Sequence, residues 1–315
     1  MHKLLTIAIP TFNRAYFLEQ QLTWLAKAIK GFEHECEIII SDNCSTDNTQ
    51  AVIQKWQHTF SDTIFKSNRH SHNLGVMPNI AYCFQAATSK YVWVIGDDDP
   101  IQDRTLGYVI NNLKEHQDLA LLILNFSWLY VETGQIATER CFTIDNEEIQ
   151  SDGKAIIEKC LQENFSGLAF MTAQVYRKTA VQQSLQQWSA SVNNREAQVY
   201  WTAFCATQGS VKVTKDIYLQ YACGMNSVPE SKLWFRMRYA DLPTVYAKLI
   251  EIGYGRKFCR ELILQHFAEN NWQVILGALR RWPVITLNIL IPYLSLVGLS
   301  AWDMHISSKL VDNRV

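Results

Sequence analysis

The sequence predicts an α/β fold, a mainly parallel mixed sheet flanked by helices, and three observations carry that prediction. Short apolar runs alternate with segments of helical apolar spacing along the N-terminal third of the chain. Each apolar run stops in polar residues. The last of them, Tyr91 to Ile95, leads through Gly96 into three consecutive carboxylates, Asp97, Asp98 and Asp99. In open α/β sheets, ligands bind beyond the carboxyl ends of the strands. Carboxylates crowded at such a mouth repel unless a cation lies among them, so the triplet reads as a divalent-metal site. The competing reading is an acidic turn into a helix, with Pro100 suited to the start and Asp99 capping a helix from about Gln102.

The elements run in order along the chain. Leu4 to Ile9 is an apolar strand, stopped by Pro10-Thr11-Phe12-Asn13-Arg14. Phe17, Leu18, Leu22, Leu25 and Ile29 at helical spacing predict a helix from Ala15 to about Ile29. The Ile38-Ile39-Ile40 run makes Glu37 to Ile40 a strand buried on both faces. It ends in the polar loop Ser41 to Thr49, where Ser45, Thr46 or Asp47 can cap a helix reaching Phe60. Thr63 to Ser67 is a third, weaker strand. Asn73-Leu74-Gly75 makes a turn, and Asn79 to Ala87 a helix that returns the chain to the strand before the aspartates. Strands and helices in strict alternation imply parallel pairing with helices on both faces.

The chain has 315 residues, enough for one large domain or two unequal ones with an ample core. A formal net charge of -1 gives no global field for nucleic acid, and none is expected as a partner. The eight cysteines contain no C-x-x-C pair and mostly lie in apolar contexts, so they read as reduced core residues. The apolar stretch at the N-terminus is too short for a signal peptide, which predicts a cytoplasmic catalytic part. There is no G-x-G-x-x-G and no G-x-x-x-x-G-K-[ST], so dinucleotide and P-loop chemistry lose their support. What remains at the sheet mouth is Thr11, Asn13 and Arg14, then Asp42 and Asn43, then Asp97 to Asp99. Asp42 could accept from a base N–H or a ribose hydroxyl, and a metal on the aspartates could neutralise a diphosphate.

Ile7 to Arg14, Ile38 to Asp47, Asn73-Leu74-Gly75 and Tyr91 to Asp99 resemble, in order and spacing, the nucleotide-sugar domain of family 2 glycosyltransferases with the GT-A fold. The resemblance is specific over residues 4 to about 110. It continues loosely to about 215, where Ser166 to Lys178 looks like the family's strand ending in basic residues before a helix. Within the family the chain looks most like bacterial transferases of surface-polysaccharide assembly, including the abequosyltransferase-like group. The resemblance implies that Asp42 contacts the base, that Thr11, Asn13, Arg14 and Asn43 line the nucleotide-sugar pocket, and that the aspartate run is the D-x-D element holding Mn²⁺ or Mg²⁺. Gly96 stands where many members have the first aspartate. The carboxylate duties then shift, with Asp97 towards the ribose, Asp98 as principal metal ligand and Asp99 as second ligand.

Transfer from a nucleoside-diphosphate sugar needs a general base for the acceptor hydroxyl. Inverting members carry an acid about ninety to a hundred residues after the D-x-D element, which points to Glu196, the only acid in Val192 to Trp201. The usual Glu-Asp pair is absent, and Glu196 equally suits the first turn of a helix. Asp145, Glu147, Glu148 and Asp152 read as a solvated loop before a helix at Lys154 to Glu163. Trp128, Tyr130, Trp188, Tyr200 and Trp201 are candidate stacking surfaces for an acceptor glycan or lipid carrier, against a core role for each. His70 and His72 read as solvated.

The domain boundaries predicted are 1–220 for the catalytic domain and 221–315 for a helical region. Its uncharged segment at about 282–302 follows Arg280-Arg281 and has tryptophans at both ends. Pro283 and Pro292 argue for a hydrophobic hairpin lying on or re-entering the bilayer rather than a clean spanning helix. The expectation is peripheral contact with the cytoplasmic face of the inner membrane, with a docking or homo-oligomer face as the alternative. Two other functions stay open: a catalytically degenerate nucleotide-sugar-binding scaffold, and a sugar nucleotidyltransferase, which would want a Gly-rich loop after the first strand.

Overall fold

The computed structural model describes residues 3–130, 133–223 and 231–312. The chain divides into two compact units, Met1–Asn193 with Trp201–Met225, and Asn194–Tyr200 with Asn226–Val315.

The first unit is built on a mixed sheet of nine strands: β1 (Leu5–Thr11), β2 (Cys36–Asp42), β3 (Ile64–Arg69), β4 (Tyr91–Val94), β5 (Leu119–Tyr130), β6 (Ile136–Thr138), β7 (Ile149–Gln150), β8 (Gln174–Arg177) and β9 (Ser210–Cys223). Their order is β3-β2-β1-β4-β8-β5-β9-β7, with β6 on β5. The first four strands are parallel, and β8 runs antiparallel to both β4 and β5. Helices α1 (Ala15–Ala28), α2 (Thr49–Thr59), α3 (Val76–Ala86), α4 (Thr105–Glu115), α5 (Gly153–Ala169) and α6 (Lys178–Gln187) follow in sequence. A further helix, α7 (Ala197–Ala206), begins in the second unit's segment and ends in the first.

Every residue of β2 is buried, as the isoleucine run requires of a strand covered on both faces. Glu37 is buried with them, and its carboxylate is tied to Lys66, to the Thr6 hydroxyl at 2.8 Å and to the Thr88 hydroxyl at 2.8 Å. A buried charge persists only with such partners. The strand register assembles the mouth of the sheet. It pairs Thr11 with Asp42 and Asp42 with Arg69, while Ala8 lies opposite Val94. The polar ends of four strands therefore arrive at one edge.

Asp99 does not cap a helix. The helix after the aspartates starts at Thr105 with no side-chain cap. Six of the cysteines are buried free thiols, and burial pushes that of Cys83 up to about 12. Cys223 falls outside the residues whose side chains are described.

The second unit is helical: α8 (Lys232–Arg236), a π turn (Met237–Asp241), α9 (Leu242–Glu251), α10 (Arg256–Ala268), α11 (Trp272–Arg281) and α12 (Pro283–Asp312). Gly253, at φ 91°, supplies the left-handed residue after α9 that a side chain would resist. The predicted hairpin at about 282–302 is not formed; one helix runs through it. Pro283 sits in the first turn, where its missing N–H is no loss, and the helix continues through Pro292. Along α12, Thr286, Leu290, Tyr293, Val297 and Ser300 are buried. Steps of four and three place them on a single stripe. Tyr293 Oη shares a 2.8 Å hydrogen bond with His266 Nδ1 on α10, and Arg260 of α10 meets Asp303 at 3.1 Å.

Candidate functional site

The mouth of the parallel half is organised by its polar residues. Asn13 and Cys44, one after β1 and one after β2, both have positive φ, at 53° and 69°. Such backbone is strained for residues other than glycine and persists only where neighbours hold it. Here they do. Asn13 N–H donates to Ser45 Oγ at 2.8 Å, and its side-chain oxygen accepts from Thr46 N–H at 2.7 Å. Asp47 accepts from Ala15 N–H at 3.0 Å and from Thr49 N–H at 3.1 Å, so one carboxylate serves the first turns of α1 and α2. Asn43 donates to Asn73 Oδ1 at 2.9 Å and accepts from Leu74 N–H at 2.8 Å, which docks the Asn73-Leu74-Gly75 turn. Asp42 is fully buried. It accepts from Ser45 N–H at 2.9 Å and from the Gln50 amide, and Arg69 approaches to 3.7 Å.

The aspartates divide their partners. Asp97 is buried, accepts from Thr11 Oγ1 at 2.7 Å and pairs with Arg14 Nε at 2.9 Å. Asp98 pairs with the other arm of Arg14, whose guanidinium also lies 4.5 Å from the Phe17 ring centre. One arginine, at the start of α1, thus ties two of the three carboxylates. Asp99 turns away from it and accepts from Thr172 Oγ1, and that hydroxyl accepts from Gly96 N–H at 2.8 Å. Burial raises Asp97 to about 6, opposed by the Thr11 bond and the Arg14 charge. Burial raises Asp99 to about 7, with the charges of Asp98 and Asp97 adding to it.

No group of three His, Cys, Asp or Glu side chains poised to hold a metal occurs among the described residues. Yet the chemistry of the donors fits a hard divalent cation. They are adjacent carboxylate oxygens, two of them with a charge that burial disfavours. A small divalent cation that enters with phosphate oxygens needs one or two carboxylates rather than a protein cage. Asp98 and Asp99 remain the candidate ligands.

Glu196 lies in the second unit, just before α7, and is 9% exposed. Its N–H donates to Asn194 Oδ1 at 2.8 Å, while Asn194 Nδ2 donates to the Asp241 carbonyl at 2.9 Å and Arg195 N–H to the Asp241 carboxylate at 3.1 Å. Burial, and secondarily the charge of Asp241, raises Glu196 to about 7.

The structure brings Thr11, Asn13, Arg14, Asp42, Asn43, Asp97, Asp98 and Asp99 to one end of the sheet. Of the candidate aromatics, Tyr200 and Trp201 are core. Tyr130 is half exposed, and Trp128 packs with Tyr221 at 5.4 Å, which in turn meets Phe170 at 5.1 Å. Sequence reasoning missed Thr172 and Arg69, which reach the mouth only through tertiary pairing. It also misread two polar groups. His70 is not simply solvated but lies 3.2 Å from both Ser41 Oγ and Asn79 Oδ1. Glu147 is bound by Tyr108, Lys212 and the Lys215 N–H.

Residues 6–163 match the family model described as Glycosyl transferase family 2. Over 118 residues the chain is 34% identical to the abequosyltransferase RfbV of Salmonella typhimurium, covering 38% of this chain and 35% of the relative. It is 30% identical over 115 residues to the GalNAc(5)-diNAcBac-PP-undecaprenol beta-1,3-glucosyltransferase of Campylobacter jejuni, covering 35% of each. Both matches thus span about a third of the relative's length. In fold, the chain is similar to TarS 1-349 of Staphylococcus aureus in complex with UDP-GlcNAc. The TM-score is 0.63 at 16% identity, over 93% of this chain and 81% of that one. It is also similar to the mannosyltransferase PcManGT of Pyrobaculum calidifontis in complex with GDP-Man and Mn2+. There the TM-score is 0.54 at 12% identity, over 100% of this chain and 89% of that one.

Proposed function

Because the chain belongs to glycosyl transferase family 2 and is a glycosyltransferase of GT-A fold, we propose that it moves a sugar from a nucleoside-diphosphate sugar to a hydroxyl of a glycan or lipid-linked acceptor in bacterial surface-polysaccharide synthesis. The observation that carries the reading is the single lattice of Thr11, Arg14, Asp97 and Asp98 at the mouth of the parallel strands. Hydroxyl, guanidinium and carboxylates gathered there support a site for a ribose and a diphosphate. Asn13 and Asn43 hold the two loops that border the base. Asp42 holds the second of them from beneath, and contact between its carboxylate and a base needs that loop to shift.

In transfer, the acceptor oxygen bonds to the anomeric carbon as the carbon–oxygen bond to the diphosphate breaks, and the hydroxyl proton leaves to a base. Glu196 takes that proton in this proposal, with inversion at the anomeric carbon. A carboxyl raised to about 7 is half ionised near neutrality, the condition for a general base there. Asp98 and Asp99 would hold a Mn²⁺ or Mg²⁺, which would supply screening of the charge on the leaving diphosphate. The remaining work belongs to side chains: Arg14 holds Asp97 and Asp98 in place, and the Trp128, Tyr130 and Tyr221 rings offer faces to an acceptor sugar. The reaction takes place at the cytoplasmic face of the inner membrane.

The test is release of nucleotide from a panel of UDP-, GDP-, CDP- and dTDP-sugars with Mn²⁺ and a membrane lipid extract, beside D98N. Metal-dependent release from one donor, lost in D98N, is expected. Nucleotide binding without release from any donor would favour a binding scaffold instead, and no binding at all would overturn the proposal.

A further inference from the structure

Between Asn270 and Trp302 the chain has only two charged residues, Arg280 and Arg281, and no acid. The same stretch forms α11 and the first two-thirds of α12. The stripe of α12 from Thr286 to Ser300 is turned inward onto the protein. The rest of its circumference carries Val284, Ile285, Leu287, Ile291, Leu294, Leu299 and Trp302, all between 42% and 69% exposed. Helices of water-soluble proteins place charges on such a face. Here there are none from Pro283 to Ala301. On α11, Trp272 is 54% and Leu276 60% exposed, and the step of four that joins them ends at Arg280, also exposed. An apolar stripe thus terminates in a cation.

We propose that this face of α11 and α12 seats in the headgroup–acyl boundary of an anionic lipid surface, the two helices lying in the membrane plane rather than crossing it. Among the described residues, Pro283–His305 of α12 is long and apolar enough to cross a bilayer. Its neighbour forbids that. α10 packs along it through Tyr293–His266 and Asp303–Arg260, and α10 carries Arg256, Lys257, Arg260 and Glu261. Sinking α12 into hydrocarbon would sink those charges with it, at several kcal/mol apiece by order of magnitude. An in-plane helix buries its outward face only and leaves α10 in water. The partner is lipid rather than a second copy of the chain because of the flanking groups. Tryptophans sit at both ends, as interfacial anchors do, the only charges between them are positive, and Asp303 beyond Trp302 is paired with Arg260; the cations are complementary to anionic headgroups but repulsive to their own image across a two-fold axis.

The proposal rests on the reading of the reaction as one at a membrane face, but its test uses neither nucleotide nor acceptor, so the two fail separately. The full chain is sedimented with vesicles of phosphatidylcholine alone or mixed with phosphatidylglycerol. Binding to the mixed vesicles is expected, released by alkaline carbonate, and quenched in tryptophan fluorescence by brominated lipid less in W302F than in the parent. R280Q should weaken binding roughly fivefold, the effect of one cation near an anionic surface. I291E with L294E should abolish it. Both positions are exposed, so the helical circular dichroism should be kept, and a variant that loses it is replaced by L287E with L299E. Absence of binding to either vesicle overturns the proposal, as does resistance to carbonate, which means spanning. Unchanged vesicle binding, with the glutamate variants splitting a dimer into monomers, overturns it in favour of a second copy.

Discussion

The Asp99 carboxyl occupies the space that a side chain on Gly96 would fill: a Cβ built on residue 96 would overlap its Oδ2. The departure from the family pattern at Gly96 and the placement of Asp99 are therefore one feature. The glycine makes room, and Thr172 closes the arrangement by donating to Asp99 while accepting from the Gly96 N–H. G96A should expel Asp99 and weaken binding of Mn²⁺, read by the loss of its free-ion paramagnetic signal, at least as strongly as D99N. T172V should act in the same direction and T172S should restore it. If G96A binds Mn²⁺ as the parent does, Asp99 is not a ligand.

The Thr11–Asp97 bond should be visible in stability. Both groups are buried, and replacing Thr11 by valine keeps the shape while leaving a carboxyl without its 2.7 Å donor. A loss of about 1–3 kcal/mol in urea unfolding is expected, with T11S near the parent. Because Asp97 is already raised by burial, T11V should raise it further and weaken its pairing with Arg14. A T11V protein as stable as the parent would show that the bond contributes nothing net.

The sheet was legible because local and tertiary preferences agree. Ile38 to Ile40 can only be a doubly covered strand, and although β1 runs one residue past Pro10 to Thr11, the polar residues after each apolar run still fall together by topology alone. What failed were readings in which distant chain decides. Asp99 looked like a cap until Thr172, from a segment seventy-odd residues later, claimed it. Pro292 looked like a break, but α12 continues through it, with Thr286, Leu290, Tyr293, Val297 and Ser300 buried along one stripe. Neither outcome leaves a trace in spacing.

His266 makes the second unit sensitive to acid. Burial, with the Arg238 charge beside it, lowers this histidine from 6.5 to about 4. The folded state therefore binds fewer protons than the unfolded chain between those values. Stability contributed by the neutral ring is complete above 6.5 and is lost as pH falls towards 4. Thermal melts of the parent should drop across that window, and H266Q should flatten the drop while losing part of the bond to Tyr293. A melt that is level from pH 7 to pH 4.5 would sink this expectation.

Glu196, just before α7, should show the opposite slope, and turnover then separates a base from a structural acid. Its folded value of about 7 exceeds the ordinary 4.5. Between the two, the folded state holds a proton that the unfolded chain has released, so stability falls as pH rises from 4.5 to 7 and is constant above. The cost of ionising it in place is of order 3 kcal/mol. E196Q should therefore be more stable than the parent at pH 8 and little different at pH 4. In turnover the same group acts the other way, because a base must be ionised. The rate should climb with pH to a plateau above about 7, and E196Q should lose that limb together with a factor of about 10²–10⁴ in rate. Stabilisation at pH 8 with unchanged turnover would leave Glu196 a buried structural acid and send the search for the base elsewhere.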